Sequence, residues 1–240
     1  MSSKACLPPL CPTLALAGFV LLSGSVPMLA GVSGSATLSG DTPAEYKIKM
    51  NADPKCEDLY DGEEVLSSYY IVGSSGQLAN VVVFLRDVPE GDYPVPETPV
   101  ILSQRGCLYT PQASVIQVDQ VLQIKNDDEH LHNVRALARN NRPFNLAQPG
   151  TGIREKTFKV TEEALKFKCD VHPWMESFVF VLDHPFFAVT AEDGKYDISG
   201  VPAGTYTLVA WHSRLGEQTQ EITVGADSSA AVDFSFEAPE

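Results

Sequence analysis

Short runs of alternating apolar and polar residues recur along the chain, and turn-forming residues separate them. A repeat of two is typical of β-strands with one buried face, and we find no sustained helical periodicity. Residues 161–164 are expected to form one helical turn at most. The pattern therefore predicts an all-β protein. The predicted strands cover residues 36–38, 46–50, 68–72, 80–85, 100–104, 114–118, 121–125, 133–136, 156–160, 165–169, 178–182, 187–190, 196–198, 206–211, 221–224 and 232–236.

Two breaks in this pattern indicate domain boundaries. Residues 87–99 are rich in proline and acidic side chains, as in a linker or a long loop. A second break falls near residues 183–185, where a strand stops before a proline that cannot donate to a sheet. With 240 residues, the chain is long enough for two domains, and we expect residues 98–183 to form one of them.

The C-terminal stretch carries a turn-rich signature, D-G-K-Y-D-I followed by P-A-G-T-Y. This signature resembles the carboxypeptidase regulatory-like, transthyretin-like β-sandwich family. Residues 34–40 and 78–85 could supply the upstream strands that such a domain needs. The resemblance implies a discontinuous Ig/transthyretin-like sandwich, residues 31–97 plus 184–237, interrupted by the central unit. Two domains in simple succession remain the alternative.

Residues 1–30 have the layout of a secretory signal peptide, with Lys4, a short apolar run and then small residues. Cleavage is expected after Ala30 or nearer Ala36, and the protein is then periplasmic or extracellular. The alternative is an uncleaved membrane anchor, which is the only membrane association the sequence suggests.

Cysteine usage singles out one thiol. Removal of the signal segment takes Cys6 and Cys11 with it, which leaves an odd number of cysteines in an oxidising compartment. Cys56 and Cys107 both lie in turn-like surroundings and are the predicted disulfide pair. Cys169 then remains as a thiol that needs a function.

A metal-binding pattern surrounds that thiol, since residues 169–175 read C-D-V-H-P-W-M at the end of an alternating strand. Cys169, His172 and Met175 offer a thiolate, an imidazole and a thioether, the donors that suit copper in both oxidation states. A blue copper site needs a second imidazole. The upstream sequence N-D-D-E-H-L-H-N-V offers one.

These two motifs together resemble the cupredoxins, and the short loop is similar to that of amicyanin, with Trp174 in place of a phenylalanine. The resemblance implies a Greek-key β-sandwich over residues 98–183 and one type 1 copper ion. Its ligands would be His132, Cys169, His172 and Met175. Asn126 would tie the ligand loops together, Trp174 would form part of an apolar collar, and electrons would leave through an exposed histidine edge.

The same residues also allow other assignments. The cysteine, histidine and methionine could be ordinary core and loop residues, or hold a structural zinc, although zinc rarely recruits a thioether. His130 is expected to face solvent in a protonated form that the neighbouring acids favour. Residues 127–129 are expected to form a solvated loop that steers a basic partner. His184 and His212 offer either an additional metal site or domain-interface contacts.

Function follows from a closed copper site. Four protein ligands leave no open position, which favours a carrier of single electrons over an enzyme. The expected partner is a redox protein such as a dehydrogenase or a cytochrome, and the amicyanin resemblance raises amine oxidation. The alternative is a copper-storage or surface-structural protein. A net charge of −14 argues against nucleic acid and favours a cationic partner.

Overall fold

The computed structural model describes residues 30–226 and 228–239. The predicted signal segment, apart from Ala30, lies outside the described residues. The first strand begins at Gly31, so cleavage after Ala30 would leave it whole, whereas cleavage at Ala36 would remove its first half. Within the part of the chain that the structure describes, no helix combines the length and apolar character needed to cross a membrane.

The all-β prediction is confirmed, because strands carry nearly all of the regular structure. The elements in chain order are β1 (Gly31–Ser39), a 3-10 helix (Met50–Ala52), α1 (Pro54–Asp58), β2 (Val82–Arg86), β3 (Val100–Arg105), β4 (Leu108–Thr110), β5 (Ala113–Gln117), β6 (Leu122–Asn126), β7 (His132–Ala136), β8 (Phe144–Gln148), β9 (Gly152–Lys156), β10 (Glu162–Lys168), β11 (Glu176–Leu182), β12 (Phe187–Val189), β13 (Lys195–Ser199), β14 (Gly204–His212), β15 (Gly216–Val224), β16 (Ala230–Ala231) and β17 (Phe234–Glu237).

One sandwich is built from both ends of the chain. Strand β1 lies between β13 and β16 and also pairs with β17, while β2 lies between β12 and β14 in a second sheet that ends in β15. Strand residues from the two sheets, such as Leu38 of β1, Val83 of β2 and Leu208 of β14, fill the core between them. Strands that come before and after the central segment in the sequence therefore pair within this sandwich.

The central sandwich lies between these two halves of the sequence. Its sheets have the orders β5-β11-β10-β7-β8 and β4-β3-β6-β9. Leu102, Ile124 and Phe167 are fully buried between them. Strands β7 and β10 are antiparallel neighbours with Arg135 opposite Lys168, which brings the start of β7 next to the residue that follows β10.

Several predicted elements differ from the structure. Residues 46–50 and 68–72 form only isolated bridges, and the 3-10 helix and α1 follow the first of them. Asp53 caps α1 and Pro54 occupies its first turn. These two residues are a short-range signal for the start of a helix, which a prediction from strand alternation does not include. Residues 161–164 enter β10 through a bulge, where Ala164 has a positive φ. Strand β8 was not predicted, and β9 precedes the predicted strand 156–160.

The segment before β2 also departs from the predicted domain boundary. Ile48, Met50 and Cys56 are buried in the core of the central sandwich, with Tyr60 and Val65 packed beside them. These residues lie within 31–97, the range assigned to the other sandwich. The division at residue 97 is therefore wrong for this segment, because its apolar side chains are buried against the central unit.

The two sandwiches share a contact layer. Phe84 and Phe180 lie with their ring centroids 5.5 Å apart in a cluster that joins the two units. At its edge Arg86 donates to both Glu163 and Glu217. Aromatic packing and a bidentate ion pair therefore hold the sandwiches together.

Candidate metal centre

The backbone brings two separate motifs to one end of the central sandwich. His132 is the first residue of β7, and Cys169 follows directly on the neighbouring β10. The loop after Cys169 is tight, since the backbone N–H of Cys169 donates to Met175 O at 3.1 Å. The backbone N–H of Met175 donates in turn to His172 O at 3.0 Å. Strand pairing and this loop therefore direct toward one point side chains that are about forty positions apart in the sequence.

Three predicted ligands converge there. The Nδ1 atoms of His132 and His172 are 2.9 Å apart, and Cys169 Sγ lies 3.7 Å from His172 Nδ1. All three donor atoms lie within 4.8 Å of one another. Each residue is at most 1% exposed, as is Met175, which lies in the same core cluster as Cys169.

The histidine geometry fits a cation at this point. His132 Nε2 lies 2.8 Å from Asp128 Oδ2, and His172 Nε2 lies 3.0 Å from Asp53 Oδ2. Each Nε2 therefore carries the hydrogen that it donates to its carboxylate, which directs the lone pair of each Nδ1 into the centre. Two lone pairs facing each other at 2.9 Å repel unless a proton or a metal ion lies between them.

The electrostatics of the site produce a thiolate. Burial alone would raise the pKa of Cys169, but the imidazoles of His132 and His172 lower it to about 6. Burial opposes the charged form of His132, yet Asp128 and the Cys169 thiolate raise its pKa to about 9. Without metal the site therefore holds a thiolate beside a shared proton, and a cation can replace that proton.

The histidine and cysteine loops are joined by Asn133. Its Oδ1 accepts from the backbone N–H of Asp170 at 2.8 Å and of Val171 at 3.3 Å. No role was predicted for Asn133 from the sequence, where it directly follows His132. Its role was missed because a side chain that caps a distant loop leaves no local spacing signal.

Asn126 ties together a different pair of segments from those expected. Its Nδ2 donates to His130 O at 3.1 Å, to Gln148 O at 3.2 Å and to Gly150 O at 3.0 Å. These contacts fix the loop before His132 against the end of β8. They do not reach the Cys169 loop.

The prediction that His130 faces solvent is wrong. It is buried, its Nε2 lies 3.0 Å from Cys107 Sγ, and burial lowers its pKa. Asp128 is also buried, and does not belong to a solvated loop. It accepts from Gly106 N and Cys107 N as well as bonding His132, and despite burial these contacts lower its pKa to about 2.

A disulfide joins Cys56 and Cys107, with their Cα atoms 5.8 Å apart. Cys56 Sγ lies 3.4 Å from His172 Nε2. On the other side Trp174 donates to Cys107 O at 2.9 Å, and its ring centroid is 5.2 Å from that of His172. His172 is thus covered, contrary to the exposed edge that the cupredoxin resemblance implies.

The remaining two histidines lie away from this centre. His184 is buried, accepts from Phe186 N at 3.1 Å and stacks on the Phe186 ring where the chain passes between the sandwiches. His212 ends β14 and stacks on Tyr70. In the described ranges neither belongs to a group of three or more His, Cys, Asp or Glu donors. Of the two roles weighed for them, the contacts favour packing.

His212 should make stability sensitive to acid. Burial lowers its pKa to about 4 from an ordinary 6.5, so between these values the unfolded chain takes up a proton that the folded protein does not. The free energy of unfolding should fall by up to roughly 3 kcal/mol as the pH drops from 6.5 to 4. His212→Asn keeps an acceptor for Arg214 N and should lose less stability over this range in urea titrations. An equal loss in both proteins would contradict the assignment.

The comparisons with known proteins cover parts of the chain. Residues 179–237 match the family model of the carboxypeptidase regulatory-like domain, which confirms the resemblance predicted for the C-terminal segment. No curated protein matches the sequence.

Among solved structures, a purple cupredoxin from Nitrosopumilus maritimus is 24% identical, with a TM-score of 0.29, and the match covers 35% of this chain and 97% of that one. A variant of amicyanin in its Cu(I) form is 15% identical, with a TM-score of 0.32 and coverage of 41% and 97%. The copper nitrite reductase of Thermus scotoductus is 20% identical, with a TM-score of 0.33; the match covers 40% of this chain and 25% of the reductase. The inference of a metal site rests on the converging donor atoms of His132, Cys169 and His172, and not on these partial likenesses.

Proposed function

We propose that this centre binds one copper ion and carries single electrons. The convergence of two Nδ1 atoms and a thiolate sulfur, with each imidazole fixed from behind by a carboxylate, is the observation that supports it. Met175 would supply a thioether as a fourth ligand. Copper would supply the one-electron couple, and this donor set suits both of its oxidation states.

Burial favours a carrier over an enzyme. The proposed ligands are at most 1% exposed, so a substrate could reach the metal only by displacing the loops that hold it. Electrons can cross such a covering and most substrates cannot. A site held rigid by its surroundings also reorganises little when the metal changes charge, which suits repeated one-electron exchange.

A redox protein is the proposed partner, either a dehydrogenase or a cytochrome, with amine oxidation as one source of electrons. The net charge of −14 supports a partner with a cationic surface. Export through residues 1–30 belongs to the same proposal. A disulfide within the fold supports it, because such bonds persist in oxidising compartments.

The experiment is a stoichiometric redox titration of the copper-loaded protein. A carrier should take up one electron per molecule from ascorbate, stop, and return it to an added oxidant such as ferricyanide. With amines alone it should show no continuing turnover. Continuing turnover would indicate an enzyme, and copper that does not change oxidation state would indicate storage. The same titration with zinc-loaded protein is the control, since zinc cannot change oxidation state.

A further inference from the structure

The covering over His172 is built by a segment that lies about 120 residues earlier in the chain. We propose that Asp53 is a positioning residue for this ligand, and that the Cys56–Cys107 disulfide holds Asp53 in place. Residues 53–56, with the disulfide, are called the clamp below. The inference deepens the proposed function, because it concerns a ligand of the same copper ion.

Asp53 performs two tasks with its two oxygens. Oδ1 accepts from Lys55 N at 3.0 Å and caps α1, while Oδ2 lies 3.0 Å from His172 Nε2. The cap orients the carboxylate, because the first oxygen is fixed by the helix that it begins. The second oxygen is thereby directed at the imidazole. His172 is 1% exposed, so little water competes for its N–H.

The disulfide bonds the helix of the clamp to Cys107, whose carbonyl oxygen accepts from Trp174 of the metal loop at 2.9 Å. Cys56 and Cys107 are fully buried, and Cys56 Sγ is in contact with His172 Nε2. Tyr60 reinforces the attachment by donating to Gly106 O at 2.7 Å. A five-residue helix would hold its place poorly by itself, but this one is bonded covalently to the surface that it covers.

The clamp has two chemical consequences. A hydrogen bond from Nε2 to a carboxylate orients the ring so that Nδ1 faces the metal, and it raises the basicity of that nitrogen. The nearby negative charge stabilises Cu(II) relative to Cu(I), so the clamp lowers the reduction potential. The clamp also covers the imidazole edge of His172. A partner protein would therefore contact residues of the clamp and not the ring itself.

Two substitutions separate positioning from folding. Asp53→Ser keeps a good helix cap but is too short to reach His172, whereas Asp58→Ser makes the same change at the exposed last residue of the same helix. The measured quantity is the rate at which the His172 Nε2–H exchanges with solvent. It is followed in 15N-histidine-labelled protein, in both the metal-free and the zinc-loaded form. In protein expressed without residues 1–30, which include Cys6 and Cys11, a thiol assay that finds one free cysteine in each variant shows that the disulfide has formed.

We expect exchange at least about tenfold faster in Asp53→Ser than in wild type, and near the wild-type rate in Asp58→Ser. In copper-loaded protein the potential of Asp53→Ser should shift upward. Unchanged exchange in a correctly folded Asp53→Ser variant would overturn the clamp. The exchange readout uses no copper, so it can support the clamp even where the redox titration rejects an electron carrier, and the reverse also holds.

Discussion

Replacing Cys169 by serine should abolish the intense visible absorption of the copper-loaded protein. That absorption arises from charge transfer between a thiolate and Cu(II), and Cys169 is the one cysteine of the described residues that is not in a disulfide. A hydroxyl of ordinary pKa cannot replace a thiolate whose pKa is lowered to about 6. Visible spectra of the two proteins at equal copper content measure the effect. Full retention of the band would contradict the assignment of Cys169 as a ligand.

Met175→Leu is the matched control for this experiment. Both substitutions are at buried positions and change the side-chain volume little, but the leucine leaves the thiolate and both imidazoles in place. The coloured band should therefore persist in Met175→Leu, while its position and the reduction potential change. Loss of the band in both variants would indicate a collapsed loop and not the loss of a chromophore.

Removing the disulfide should have the largest effect on stability. The double variant Cys56→Ala/Cys107→Ala releases a cross-link between residues 51 positions apart. A loop of that length implies a loss of about 4 kcal/mol in the free energy of unfolding. That is a large share of the roughly 5–15 kcal/mol by which native proteins are stable. Equilibrium unfolding in urea, without reductant, measures it.

Reduction of the wild-type protein is the control. With a dithiol reductant present, wild type and the double variant should unfold at nearly the same urea concentration, because neither then carries the cross-link. Equal stability without reductant would contradict the proposed contribution of the disulfide. The reduced wild type also shows whether the alanines themselves disturb the buried cluster.

The strand pattern was sufficient to predict the fold class, since period-two alternation depends only on neighbouring residues. Cys169, His172 and Met175 belong to one short loop, so the local sequence was also sufficient to propose them together as ligands. The location of His132 needed a second motif, and the pairing of β7 with β10 explains why the two motifs meet.

The surroundings of the site could not be predicted so readily. Asp53 belongs to the turn-like surroundings predicted for Cys56, and its contact with His172 depends on how a distant segment folds back. Asp128 and His130 are polar residues in an acidic run, so local composition predicts a solvated loop. Tertiary contacts bury them instead, through hydrogen bonds to Gly106 and Cys107 that no spacing in the sequence encodes.

The central claim is that His132, Cys169, His172 and Met175 hold one copper ion. It is tested most directly by titrating Cu(II) into the metal-free protein while the visible spectrum is recorded. We predict an intense charge-transfer band that grows linearly and saturates at one equivalent of copper. A protein that stays colourless, or that binds zinc in preference to copper, would contradict the claim.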